Sequence, residues 1–250
     1  MLYQPTPTTT LTRPLRPRRS ITTMLVLALL GGVMTSCASP EPATDRAAAE
    51  RGYNGVMLPA PVQKPATILT TTDGTPYDLR ERTRGRLTLL FFGYANCPDV
   101  CPVHMANIAT VLADMSYEQA RRIEVVFVTV DPERDTPEKL RAWLDRFDPR
   151  FVALTGDSAT LAAAQRELGV APAVKEEVGG AIGYSMAHAA QVYAFTSDGL
   201  AHLVYPFGTR QTDWVHDLPR LLDERWGADP AVALDDSATA NTLTPSGGMR

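Results

Sequence analysis

Two continuous apolar runs constrain the fold of this chain more than any other feature. The first covers residues 87–94 (LTLLFFGY), and the second covers residues 123–130 (IEVVFVTV). Both are rich in β-branched and aromatic residues, and both are too apolar for a strand with one exposed face. Such runs are typical of central strands that are covered by helices on both faces. They predict an α/β domain built around one sheet.

The segments around these runs predict how the sheet is completed. Residues 102–115 and 137–147 carry apolar side chains at helical spacing, so strand, helix, strand and helix alternate and favour parallel pairing with right-handed crossovers. Residues 191–195 and 200–205 flank a Ser-Asp-Gly turn and predict an antiparallel hairpin, and residues 212–226 predict a last helix. This order is the plan of the thioredoxin fold, a central mixed sheet flanked by helices.

Two cysteines, Cys97 and Cys101, follow the first strand in the stretch CPDVCP. Pro102 suits the first turn of a helix, which predicts Cys101 at or beside the helix N-terminus. The unpaired amide donors and the helix dipole at that end favour a thiolate. Four positions make about one helical turn, so the two sulfurs can lie on one face. Such a dithiolate suits Cu(I) and is an acceptable partial site for zinc.

Other uses of two thiols are possible at this spacing. A structural disulfide would close a very small loop and remove little entropy from the unfolded chain. A peroxiredoxin would need a threonine three positions before its nucleophile, where this chain has Tyr94 or Pro98. A thiol-disulfide oxidoreductase is the main alternative, although it would keep two residues between its cysteines instead of three.

Three segments in order resemble the Sco/SenC family of copper-handling, thioredoxin-like proteins: CPDVCP, residues 126–156 and MAHAAQVYAF. The resemblance covers roughly residues 54–226. It implies Cu(I), with Cu(II) as a second oxidation state, bound by Cys97, Cys101 and His188. It also implies delivery of copper to the dinuclear copper site of cytochrome c oxidase, with reduction of thiols at that site as a second role. The implied partners are the copper-binding oxidase subunit and other copper carriers or thioredoxin-like reductants.

The four histidines are predicted to have different roles. His188 is flanked by small residues, which leaves its ring room to approach another loop. Its role as a ligand comes from the resemblance, because an isolated histidine is more often an ordinary surface or packed residue. His104 is predicted to face solvent in the first turn of its helix. No role is assigned to His202 or His216.

Asp135 stands two residues before Pro137, in the sequence Asp-Thr-Pro-Glu. This pattern predicts Asp135 as the N-cap of the following helix, with proline in the first turn and a glutamate closing a capping box.

The first 36 residues have the organisation of a secretory signal. They hold four arginines and no acidic residue, followed by the apolar run 24–34 and Thr35-Ser36-Cys37. The end of this run resembles the lipobox of bacterial lipoproteins, which implies that Cys37 is lipidated and becomes the new N-terminus. An uncleaved anchor over residues 21–38 is the alternative, and the Arg-Arg pair leaves twin-arginine export open beside the general route.

The complete organisation follows from these segments. Residues 1–36 are predicted as the signal peptide, residues 37–52 as a lipidated N-terminus with a flexible linker, residues 53–227 as the folded domain and residues 228–250 as a disordered tail. The domain is expected at the cell membrane, on the extracytoplasmic side. The whole chain has a net charge of −4 and its removed signal is basic, which argues against nucleic acid as a partner.

Overall fold

The computed structural model describes residues 52–180, 183–224 and 226. The strands in these ranges are β1 (Val56–Gln63), β2 (Leu69–Thr71), β3 (Pro76–Tyr77), β4 (Leu87–Gly93), β5 (Ile123–Thr129), β6 (Val152–Thr155), β7 (Val174–Gly179), β8 (Gly183–Ala187), β9 (Val192–Phe195) and β10 (Leu200–Tyr205). The helices are α1 (Leu79–Arg82), α2 (Val100–Asp114), α3 (Tyr117–Ala120), α4 (Pro137–Leu144), α5 (Ser158–Glu167) and α6 (Gln211–Asp223). None of these helices is long and apolar enough to cross a membrane.

The predicted signal peptide, Cys37 with its linker, and the predicted tail after residue 227 lie outside the described residues. They stay predictions.

Eight strands form one mixed sheet in the order β1-β10-β9-β4-β5-β6-β2-β3. The pairs β4–β5 and β5–β6 are parallel, and the other pairs in this sheet are antiparallel. All seven residues of β4 are buried. Because successive side chains of a strand point to opposite faces, this burial means that both faces of the sheet are covered at its centre. The predicted α/β sheet and its β9–β10 hairpin are confirmed.

Helix α2 begins two residues before the predicted start, so that Cys101 is its second residue. Its buried positions recur every three or four residues, and α2 packs beside α6. The buried side chains are Cys101, His104, Met105, Ile108, Val111 and Leu112. The prediction that His104 faces solvent is therefore wrong, because His104 lies on the face of α2 that packs into the core.

The N-cap of α4 is Thr136, and the prediction of Asp135 at this position is wrong. Thr136 Oγ1 accepts a hydrogen bond from the backbone N–H of Lys139. Asp135 is 1% exposed, and its carboxylate accepts bonds from Ala95 N at 2.9 Å and from Thr129 Oγ1 at 2.6 Å. Donors from two distant segments thus hold this carboxylate inside the protein. It ties the loop after β4 to the end of β5.

The two ends of the described chain meet beside the last turn of α6. Arg220 donates to the carbonyl oxygen of Gly52 at 2.7 Å, and the rings of Tyr53 and Trp226 lie 5.7 Å apart. Arg122, which directly precedes β5, donates to the carbonyl oxygen of Leu222. Because β4 and β5 are parallel, this place lies at the end of the sheet opposite to the cysteines.

Gly93 at the end of β4 gives a test of this packing. A Cβ added there would lie 2.7 Å from the Phe91 ring, 2.9 Å from the Phe127 ring and 3.0 Å from Cys101 Sγ. We expect Gly93→Ala to lower the free energy of unfolding in urea by about 1–3 kcal/mol, because the core would be overpacked. Gly156→Ala is the control, since its Cβ would meet its nearest neighbours at 3.4–3.8 Å. Equal stability of the two variants would contradict the packing described.

Candidate metal centre

Cys97 and Cys101 lie where β4 passes into α2. The Cys97 N–H donates to the carbonyl oxygen of Tyr94 at 3.1 Å, which closes the loop into a turn. The Cys101 N–H then points at Cys97 Sγ, 3.4 Å away. Cys101 is fully buried and Cys97 is half-buried, and both thiols are free. Cys101 thus lies in the first turn of α2, as predicted, and the Cys97 sulfur sits over the N-terminus of this helix.

The two thiols are electrostatically unequal. A hydrogen bond from the Cys101 thiol is the main cause that lowers the pKa of Cys97, and hydrogen bonds from the backbone of Cys101 and Asp99 add to it against the opposing effect of burial. Burial raises the pKa of Cys101, and the neighbouring Cys97 sulfur raises it further. The two pKa values are thus shifted in opposite directions, which favours the thiolate at Cys97 and the protonated thiol at Cys101.

His188 approaches this pair from the segment between β8 and β9. Its Nε2 lies 3.9 Å from Cys101 Sγ, and its Nδ1 lies 3.0 Å from the carbonyl oxygen of Ala189. A carbonyl oxygen only accepts, so Nδ1 carries a hydrogen and Nε2 is the nitrogen that faces the sulfurs. In the Nδ1–H tautomer of an imidazole, Nε2 holds the lone pair that can bind a metal. The edges of Phe91 and Tyr94 flank the ring, with centroids at 6.0 and 5.7 Å. The structure thus brings together the three residues that the sequence singled out.

The spacing is close to that of a metal site. A metal bound to a thiolate at about 2.3 Å and to an imidazole nitrogen at about 2.0–2.1 Å separates the two donor atoms by roughly 3.5–3.8 Å. The distance from Cys101 Sγ to His188 Nε2 is 3.9 Å. Among the described residues, no three His, Cys, Asp or Glu side chains are already arranged around one metal position.

His104 belongs to the surroundings of this site, although the sequence analysis expected it in solvent. It is 1% exposed, and its Nε2 lies 3.1 Å from the carbonyl oxygen of Ala190. Burial lowers the pKa of its imidazole, which keeps the ring neutral. One feature of the sequence could have predicted that His104 is buried. It stands beside Met105 on the apolar stripe of α2. The acceptor that makes burial of this ring possible is 86 residues away in the chain.

The SCO1/SenC family model matches residues 63–223. This chain belongs to the SCO1/SenC family. One relative is a Stutzerimonas stutzeri protein that is named as a proposed copper-binding protein. It is 30% identical to this chain over 210 residues, which cover 82% of this chain and 95% of that protein. The mitochondrial protein SCO2 of Saccharomyces cerevisiae is 32% identical over 108 residues, which cover 43% of this chain and 34% of that protein.

Among solved structures, this Sco family chain is similar to ScoI of Bradyrhizobium japonicum with copper bound. The two are 34% identical with a TM-score of 0.57, and the match covers 64% of this chain and 99% of that one. The predicted thioredoxin-like fold is thereby confirmed.

The unequal thiols give a test by alkylation. We expect iodoacetamide to modify Cys97 even at about pH 5, because its low pKa keeps it ionised there, and to spare the buried Cys101. Cys101→Ala removes the thiol donor, so the pKa of Cys97 rises and its alkylation at this pH slows. Cys101→Ser keeps a hydroxyl donor and is the matched control. Peptide mass spectrometry over a pH series measures the rates. The described hydrogen bond would be wrong if alanine and serine gave the same profile.

Proposed function

We propose that this protein is a copper chaperone that binds copper through Cys97, Cys101 and His188 and delivers it to the dinuclear copper site of cytochrome c oxidase. The observation that carries the proposal is the position of His188 Nε2, which faces the thiol pair at 3.9 Å from Cys101 Sγ. Two thiolates and one imidazole form a soft donor set that suits Cu(I). The copper-bound structure of a 34% identical Sco protein supports this choice of metal.

Loading and release follow from the burial of the three side chains. Copper binding needs both sulfurs as thiolates, so the proton on Cys101 leaves when the ion enters. Cys101 is fully buried, whereas Cys97 and His188 are partly exposed. An acceptor ligand can therefore reach the ion from the side of Cys97 and His188. Acceptor ligands would replace Cys97 and His188 first and Cys101 last. The copper ion would then stay bound throughout the transfer.

A second candidate function is thiol-disulfide exchange, and the unequal thiols favour it. The Cys97 thiolate would attack a target disulfide, form a mixed disulfide and expel the other target sulfur as a thiolate. Cys101, after losing its proton, would then attack Cys97 Sγ and release the reduced target. The product carries a Cys97–Cys101 disulfide, which a thioredoxin-like reductant must reduce. This chemistry would serve either the reduction of the oxidase copper site or a general extracytoplasmic oxidoreductase.

The proposal includes attachment to the membrane through lipidated Cys37, with the domain on the extracytoplasmic side. Its support is the sequence of basic, apolar and small residues before Cys37. A carrier tethered to the same membrane as its acceptor works at high effective concentration. Even a weak contact between them would then suffice for transfer.

Copper titration tests the proposed ligands directly. In a Cys37→Ala background, so that Cys97 and Cys101 are the remaining cysteines, the reduced protein should bind one copper per chain under a competing chelator. The double variant Cys97→Ser, Cys101→Ser should lose this site. His188→Ala should retain part of the Cu(I) affinity and lose far more of the Cu(II) affinity, because Cu(II) favours nitrogen ligands. His216→Ala, whose side chain is 47% exposed on α6, is the control. Unchanged stoichiometry in the double variant would refute the site.

Delivery is tested in a deletion strain grown at low copper. We expect poor cytochrome c oxidase activity that added copper partly restores, because free copper can replace the carrier. Cys97→Ser should not complement the strain, and Cys37→Ala should complement weakly and leave the membrane fraction or remain as an unprocessed precursor. Normal oxidase activity together with misoxidised exported proteins would instead favour the oxidoreductase.

A further inference from the structure

Residues 188–190 follow β8 and precede β9, and they belong to neither strand. Strands β7 and β8 pair with each other in a separate two-stranded sheet, and the hydrogen-bonded ladder of the main sheet resumes at β9. His188 stands between β8 and β9, so side-chain contacts must fix its position. We define residues 184–190 as the His188 segment. Its first four residues belong to β8, and the side chains of Arg134 and His104 bond to its backbone at the two ends.

Arg134, in the loop between β5 and α4, holds the first end of the His188 segment. Its Nη1 donates to the carbonyl oxygen of Tyr184 at 2.9 Å, and its guanidinium lies 3.6 Å from the centroid of the Tyr184 ring. The Tyr184 hydroxyl donates to Asp131 Oδ1 at 2.8 Å, and Arg134 Nε pairs with the same carboxylate. Asp131 is buried, and its backbone N–H donates a hydrogen bond to Thr129 Oγ1 at the end of β5, at 3.0 Å. The side chains of Arg134 and Asp131 are 20% and 1% exposed, so solvent screens this pair less than an exposed ion pair.

His104 holds the other end. Because the carbonyl oxygen of Ala190 only accepts, His104 Nε2 is the donor across the 3.1 Å between them. The imidazole has a fixed position, since it is buried on α2 with the rings of Phe91 and Phe207 at centroid distances of 5.1 and 6.2 Å. The same helix carries Cys101 three residues earlier. One rigid element therefore sets both a thiol ligand and the place of the histidine segment.

We propose that His104 and Arg134 are positioning residues that hold the His188 segment at both ends and present His188 Nε2 to the two sulfurs. This inference rests on the proposed copper site. A ligand that is already in place loses less conformational freedom when the metal binds, so the affinity that depends on His188 is higher. The two thiolates are fixed by β4 and α2 and need no such help. Loss of either hold should therefore weaken Cu(II), which favours nitrogen, and leave Cu(I) on the thiolates nearly unchanged.

The test uses the full chain in mild detergent, again with Cys37→Ala, and copper alone as the probe. We expect His104→Leu to weaken Cu(II) binding roughly tenfold, as loss of a partner that orients a ligand does. The nitrogen hyperfine signal in the electron paramagnetic resonance spectrum should fall with it. His104→Gln keeps an amide donor and should restore most of both. In a His188→Ala background, His104→Leu should have no further effect, because the ligand that it positions is gone.

Arg134→Gln should weaken Cu(II) in the same direction, with Arg150→Gln as the matched control. The side chain of Arg150 is 56% exposed and pairs with Asp148. The ¹⁵N spectrum of labelled histidine in the unaltered protein adds a measurement that needs no variant to fold. It should show His104 protonated at Nε2, and protonation at Nδ1 would remove the bond to Ala190 and overturn the inference.

The outcomes separate this inference from the proposed function. If His188→Ala weakens Cu(II) binding but folded His104→Leu and Arg134→Gln do not, the positioning role is wrong and the copper site stands. An effect of His104→Leu that is equally large with and without His188 also overturns positioning. If copper binding is absent, or is unchanged in His188→Ala, the proposed ligand set itself fails and this inference with it.

Discussion

Complete burial of β4 is the constraint on which the rest of the structure depends. Each of its seven residues is buried, and β9 and β5 pair with its two edges. The strand has no free face or edge. Reactive side chains can therefore reach a ligand only in the residues that follow its end. Gly93 lets the chain turn there against two aromatic rings and the Cys101 sulfur. The position of the thiol pair is thus a consequence of the core and is as rigid as the core.

The elements with strong local patterns could be predicted from the sequence. The apolar runs of β4 and β5 and the stripe on α2 identify themselves by composition and period. The β7–β8 hairpin was not predicted, because every residue of β7 is exposed and its sequence VKEEVG has no alternation. Contacts from a part of the chain that is distant in sequence hold this hairpin, such as the bond from Arg134 to the Tyr184 carbonyl oxygen. Non-local contacts of this kind leave no periodic trace in a single sequence.

The same limit explains the errors at individual residues. Asp135 and Thr136 are both plausible N-caps by type, and the Ala95 N–H, 40 residues away, decides that Asp135 is used elsewhere. His104 is a polar residue and was therefore expected on the surface. The carbonyl oxygen of Ala190 in the His188 segment accepts its hydrogen bond in the interior. Cys97 and Cys101 were identified by local chemistry. His188 was identified through the family resemblance, since its small neighbours carry no signal of their own.

The two ends of the described chain lie together at the end of the sheet opposite to the cysteines. Gly52 contacts Arg220 there, and the ring of Tyr53 lies beside that of Trp226. The length of β4, about 20 Å for seven residues, separates them from the thiols. An anchor, an affinity tag or a fused fluorescent protein joined at either end is therefore attached at the far end from the site. On a sensor chip or a bead coupled through either end, the thiols would remain open to partners in solution.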